Sequence, residues 1–149
     1  MIGTTMTLPH EHDAVLLDRV WAVTGELTRA VATVRAETPF GATPQGWPDW
    51  LLIELMAQTV AGGAGIREFV PGTRPQLGLL LGVRNFSCRT PLFAPGIELQ
   101  LEAAESSRDE FGMGVFDCSI DVDGRRAASA TLSVYLPAQV DDYLESLES

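Results

Sequence analysis

The sequence predicts an α+β domain in which a curved antiparallel sheet wraps around one long central helix. Three observations lead there. The stretch PDWLLIELMAQTVAGGAG (48–65) is apolar or small at almost every position, so a helix formed by it is apolar nearly all round and needs cover on most sides. Two segments before it and four after it have strand length and strand-like apolar patterning. The chain has 149 residues, 46% of them hydrophobic and 20% charged, which suits one domain with a real core. Residues 1–149 are therefore read as a single domain, with 1–7 a flexible N-terminus and 138–149 an acidic C-terminal tail.

The elements follow in order. AVLLDRVWAV (14–23) and LTRAVATVRA (27–36) read as two strands around Thr24-Gly25-Glu26. ETPFGATPQGWP (37–48), with three prolines and Gly41 and Gly46, reads as loop. The helix is expected at about 49–68, and its small residues Ala57, Ala61, Gly62, Gly63, Ala64 and Gly65 would let the sheet approach closely. REFVPGTRPQ (67–76) is a turn region, and LGLLLGVRNFSCRT (77–90) a strand. GIELQLEAAESS (96–107) alternates, with Ile97, Leu99, Leu101 and Ala103 on one face. FGMGVFDCSIDV (111–122) puts Phe116, Cys118, Ile120 and Val122 on one face, and Asp123-Gly124 is a hairpin signal. RRAASATLSVYL (125–136) then closes the sheet, with Ala128, Ala130, Leu132, Val134 and Leu136 inward.

Composition excludes several chemistries. Ten basic and twenty acidic residues give −10, which argues against nucleic acid as a partner. Every basic residue is Arg, so Schiff-base, lysine-nucleophile and P-loop chemistry are absent. His10 and His12 are the only histidines, too few for a three-His metal site, and no GxSxG elbow occurs. Cys88 and Cys118 lack metal-ligand spacing and read as buried free thiols. No apolar run reaches the ~18 residues of a membrane helix. The N-terminus MIGTTMTLPHEH shows no secretory signal, so the cytoplasm is the expected compartment.

One carboxylate, Glu54, interrupts the apolar helix and shares a face with Trp50 and Gln58. A desolvated Glu costs several kcal/mol unless it is paired, protonated or used. Two readings are open: a Glu satisfied by backbone donors or Arg at an exposed seam, or a carboxyl with a raised pKa held for general acid work.

Two blocks carry a family resemblance. LPHEHDAVLLDRV (8–20) and WPDWLLIELMAQ (47–58), the latter ending in an E-x-M-A-Q signature, resemble the hotdog-fold 3-hydroxyacyl-[acyl-carrier-protein] dehydratases, and within them the branch associated with aryl-polyene and polyene polyketide pathways. The likeness extends more loosely over nearly the whole chain. It implies a hotdog fold paired with a second subunit, with an active site at the interface and no metal or redox cofactor. A His from one subunit takes the proton beside the thioester carbonyl. A Glu or Asp on the other subunit's central helix helps expel the 3-hydroxyl as water. Carried over, Glu54 is the acid and Gln58 its neighbour in the signature, with Trp50 beside them. Asp49 offers the backbone N–H that polarises the thioester. The family usually has Gly at that position, and the extra carboxylate crowds a thioester carbonyl.

The larger departure concerns the base. The family's G-H-F-P loop is replaced by TPFGATPQGWP, with Phe40 near the histidine's place, and no His follows Val15. Half a dyad is therefore expected. A partner hotdog subunit supplies the His; or His10 or His12 is recruited; or the chain is a non-catalytic partner that shapes a tunnel or docks carrier protein; or the protein is an acyl-thioesterase whose helix carboxylate activates water. The reading adopted is a dehydratase subunit in a homo- or heterodimer, acting on 3-hydroxyacyl chains held by an acyl carrier protein. Carrier proteins are acidic, so docking onto this chain needs a local cationic patch, expected at Arg67, Arg74, Arg84 and Arg89, with Arg125-Arg126 as a second group.

Overall fold

The computed structural model describes residues 16–38, 41–67 and 79–136. The one helix among these residues, α1 (Leu51–Arg67), lies against a six-stranded antiparallel sheet built from β1 (Arg19–Ala22), β2 (Leu27–Thr33), β6 (Leu79–Cys88), β8 (Glu98–Arg108), β9 (Met113–Val122) and β10 (Arg125–Tyr135). The strand order is β1-β2-β8-β9-β10-β6. The segment expected to be only loop holds short pairings. These are β3 (Glu37–Thr38) with β4 (Gly41–Ala42), and β5 (Trp47–Pro48) with β7 (Leu92–Phe93).

Period-two alternation sets the core. Leu99, Leu101 and Ala103 of β8, Phe116, Cys118 and Ile120 of β9, and Ala128, Ala130, Leu132 and Val134 of β10 are all buried, as is Leu136. They meet Leu52, Leu55, Met56 and Val60 of the helix, which packs chiefly on β1, β2 and β8. Ile97 and Val122, expected inward, are only half-buried at the strand ends. Burial pushes the Cys118 thiol up to about 12, with Asp117 adding to it, so this thiol is unreactive near neutral pH.

Two expectations are corrected. β10 does not close the sheet: it lies between β9 and β6, and β6 forms the edge. That edge leaves Leu79, Leu80 and Leu81 exposed. Its register is broken by two bulges, and Asn85 takes a left-handed conformation at one of them (φ 56°). The helix, too, is covered on one side only among the described residues. Gly62 and Gly63 face the sheet, and a side chain at Gly63 would collide with Thr28. Ala57, Ala61, Ala64 and Gly65 lie instead on a half-open face together with Ile53, Glu54 and Gln58.

The start of α1 is pinned by the β5–β7 pairing, which needs a glycine next to it. Gly46 has φ 111°, and a Cβ there would be driven into the Phe93 carbonyl oxygen. Gly46→Ala is expected to cost roughly 3 kcal/mol, from the left-handed backbone and the clash together. The melting temperature should fall by about 10 °C. An unchanged melting curve would show that β5–β7 is not held this way.

Candidate active site

Glu54 stands in the first turn of α1, where the helix dipole favours a carboxylate. It is half-exposed, not enclosed as a desolvated acid would be. One helical turn on, Gln58 donates from Nε2 to Glu54 Oε1 at 3.2 Å. The other end of the same amide accepts the Leu16 N–H at 2.8 Å. A backbone N–H can only donate, so it fixes which end of the amide is oxygen and turns the NH₂ toward Glu54. The LLDRV part of the first motif block is thus tied to the E-x-M-A-Q block through Gln58. Sequence reasoning paired Gln58 with Glu54 but missed Leu16, 42 residues away.

Asp49 differs from expectation. Its N–H donates to the Pro91 carbonyl at 3.1 Å, one rung beyond the β5–β7 pairs, and so is not open to a thioester. The Leu52 and Ile53 N–H groups bond to the Asp49 and Trp50 carbonyls at 3.0 and 3.4 Å. Helices leave their first N–H groups without intrahelical acceptors. Here the Trp50 and Leu51 N–H groups have no acceptor among the described residues. Trp50 itself is 64% exposed beside Glu54, an indole standing in the open on the helix face. Below it Trp47 is fully buried, with the Arg35 guanidinium 5.9 Å from its ring centroid and its indole N–H without an acceptor.

The expected base and docking groups fare unevenly. His10, His12, Phe40 and Arg74 lie outside the described residues. No histidine occurs among the described ones, and no group of three metal-ligating side chains occurs among them either. Arg67, expected in the docking patch, is exposed and engaged within the chain. It donates to Thr28 Oγ1 at 2.7 Å and to the Thr24 and Leu27 carbonyls at 2.8 Å, tying the end of α1 to the β1–β2 turn. Burial lowers its pKa from the usual arginine value, and Glu105 opposes the shift. Arg84 and Arg89 are exposed. A cavity of about 150 Å³ lies at the far end of the helix from Glu54, walled by Val60, Ala64, Phe116, Arg67 and Arg108, and contains none of the expected acid–base residues.

What the described residues offer is one oriented carboxyl, a helix start with unused N–H groups, an open face and no histidine. The chain is 31% identical over 136 residues to the 3-hydroxyacyl-[acyl-carrier-protein] dehydratase FabZ of Streptococcus pneumoniae (strain Hungary19A-6), covering 88% of this chain and 93% of that protein. Among solved structures, the dehydratase heterocomplex ApeI:P from Xenorhabdus doucetiae superposes with a TM-score of 0.76 at 27% identity, covering 95% of each chain. A hypothetical thioesterase with coenzyme A from Streptococcus pneumoniae TIGR4 shares 13% identity at a TM-score of 0.55, over 83% of this chain and 85% of that one, a likeness of fold alone. The hotdog fold expected from the sequence is therefore the fold observed. The family model described as ApeP dehydratase matches residues 3–145, and the chain belongs to this ApeP-like dehydratase family of hydro-lyases.

Proposed function

We propose that the chain is one subunit of a dehydratase acting on 3-hydroxyacyl thioesters carried by an acyl carrier protein, and that a second hotdog subunit supplies the general base. The observation that carries this reading is the incomplete site. Glu54 is held by Gln58 on a half-open helix face, and no histidine stands near it among the described residues. The names of the curated relatives support the substrate class, and the heterocomplex of the structural relative supports a mixed assembly.

In the reaction the partner's base takes a proton from C2 and the C2–C3 double bond forms. The C3–O bond breaks, and Glu54 gives its proton to the departing hydroxyl, which leaves as water. Because Oε1 accepts from Gln58, the acid proton belongs on Oε2. With the Asp49 N–H engaged by Pro91, the thioester carbonyl is met by the Trp50 and Leu51 N–H groups at the helix start. The partner seats on the β6 edge and the open helix face. An unpaired edge with three exposed leucines is a ready template for another strand.

Removing the Gln58 amide releases both Glu54 and Leu16. Gln58→Leu is expected to lower kcat about tenfold, the worth of roughly one well-placed hydrogen bond, with KM changed less. An unchanged kcat would remove Gln58 from the mechanism.

One observation favours the silent-partner reading: with the Asp49 N–H engaged, the chain lacks its expected thioester donor as well as its base. Affinity purification of the tagged chain from its native cells tests the mixed assembly. Two hotdog species in matched amounts are expected, and a single species would overturn it.

A further inference from the structure

Nine of the ten arginines lie among the described residues, Arg74 being the tenth. Four of the nine are ion-paired: Arg29 with Glu102, Arg35 with Asp18, Arg108 with Glu105 and Arg126 with Asp121. Arg67 is turned onto backbone carbonyls, and Arg19 lies over the Trp21 ring at 5.6 Å. The three that remain, Arg84, Arg89 and Arg125, are exposed and have no ion pair among the described residues.

All three belong to one side of the sheet. Arg84 pairs with Thr131 in the middle of β6, on the edge assigned above to the partner subunit. Arg89 and Arg125 stand near the same end of the β6–β10 pair. The Arg89 N–H donates to the Ala127 carbonyl at 2.9 Å, and Arg125 opens the same strand two residues earlier, about 7 Å along it. Asp123 is the acidic neighbour in the turn, and Asp121 is held by Arg126. Two residues past Arg89 comes Pro91, whose carbonyl holds the Asp49 N–H at the start of α1. The unpaired cations of this strand end therefore adjoin the helix start that bears Trp50 and Glu54.

We infer that Arg89 and Arg125 form the surface on which an acidic carrier protein docks, its thioester-bearing arm passing Pro91 to reach the helix start. A chain of net charge −10 repels an acidic partner over most of its surface. Attraction is then confined to cations that no carboxylate of the same chain neutralises, and these two stand beside the site. The inference rests on the proposed function for the identity of the partner. It takes Arg89 from the expected patch and Arg125 from the expected second group, and leaves out Arg67, whose guanidinium is engaged by Thr28 and the β1–β2 turn.

The test compares one acyl group on two carriers. The native complex, with wild-type chain or with Arg89→Glu and Arg125→Glu together, is given a 3-hydroxyacyl group on carrier protein and, separately, on N-acetylcysteamine. The double variant is expected to raise KM for the carrier-bound substrate at least tenfold, to abolish its rise with added salt, and to leave turnover of the small thioester within twofold. Arg29→Glu, on the opposite side of the sheet, should change neither. An unchanged KM for the carrier-bound substrate would overturn the inference, as would equal losses on both substrates. Should neither substrate be turned over by the wild type, the proposed function fails, and fluorescence anisotropy of labelled carrier protein still decides this point. Weakened binding by the double variant supports the surface, and equal binding overturns it.

Discussion

Replacing Glu54 with Gln is expected to lower kcat for dehydration about 10³-fold, within the range that general acid catalysis supplies. The effect is large because Glu54 is the sole carboxyl on the helix face that also carries Trp50 and Gln58. An amide in its place cannot release a proton to the departing hydroxyl. The fold should be nearly untouched. Gln is close to Glu in size, the site is half-exposed, and the amide oxygen can still accept from Gln58. A melting temperature within about 2 °C of wild type checks that point. Turnover is followed as the appearance of the conjugated enoyl thioester. The same variant separates the two readings of the chain: a silent partner would lose nothing, so undiminished turnover by the assembled complex would end the acid role of Glu54.

The second large effect is the dependence on a partner. Purified alone, the chain should be inert, at least 100-fold below the assembled enzyme, since elimination needs a base with a pKa near 7 and Glu54 cannot be acid and base in one protonation state. The described parts of the loop before the helix carry Glu37 alone as a titratable side chain, and it lies in the β3–β4 pair. Adding a His-bearing hotdog subunit should restore activity, and His10→Ala and His12→Ala should leave the mixture active. Were the isolated chain to turn over substrate, and His10→Ala to abolish this without unfolding it, His10 would be the base and the mixed assembly unnecessary. Sedimentation adds an independent check, because an isolated monomer at micromolar concentration that stays active would exclude a shared site.

Much of this was legible in local patterns. Alternation assigned the inward faces of β8, β9 and β10, because each strand buries one side of a two-residue repeat. The i,i+4 spacing brought Glu54 and Gln58 together, because helix geometry alone dictates it. What escaped was long-range. Neither Leu16 nor Pro91 carries a local signal that its backbone would bond to Gln58 or Asp49, since any residue supplies the same N–H or carbonyl. The sheet order escaped for a related reason. LGLLLGVRNFSC has apolar residues on both faces, so it reads equally as a central or an edge strand, and only the exposure of Leu79 and Leu81 distinguishes them. The engagement of Arg67 escaped because nothing in sequence reveals that the β1–β2 turn would present carbonyls to it.

The edge strand also bears on how the cell must make this protein. Leu79, Leu80 and Leu81, exposed on an edge strand, resemble, to a chaperone or a protease, a chain that has not finished folding. A subunit made in excess of its partner would stay in that condition, whereas one that pairs at once is stabilised by mass action. The two bulges and the left-handed Asn85 shorten the straight stretch on which strands of other copies could stack, and so slow aggregation of the orphan. In the proposed mixed assembly, subunit dosage therefore becomes a folding problem. Matched synthesis of the two chains, rather than abundance of either, should set the amount of soluble protein, and co-expression should raise the yield of this chain more than any lowering of temperature.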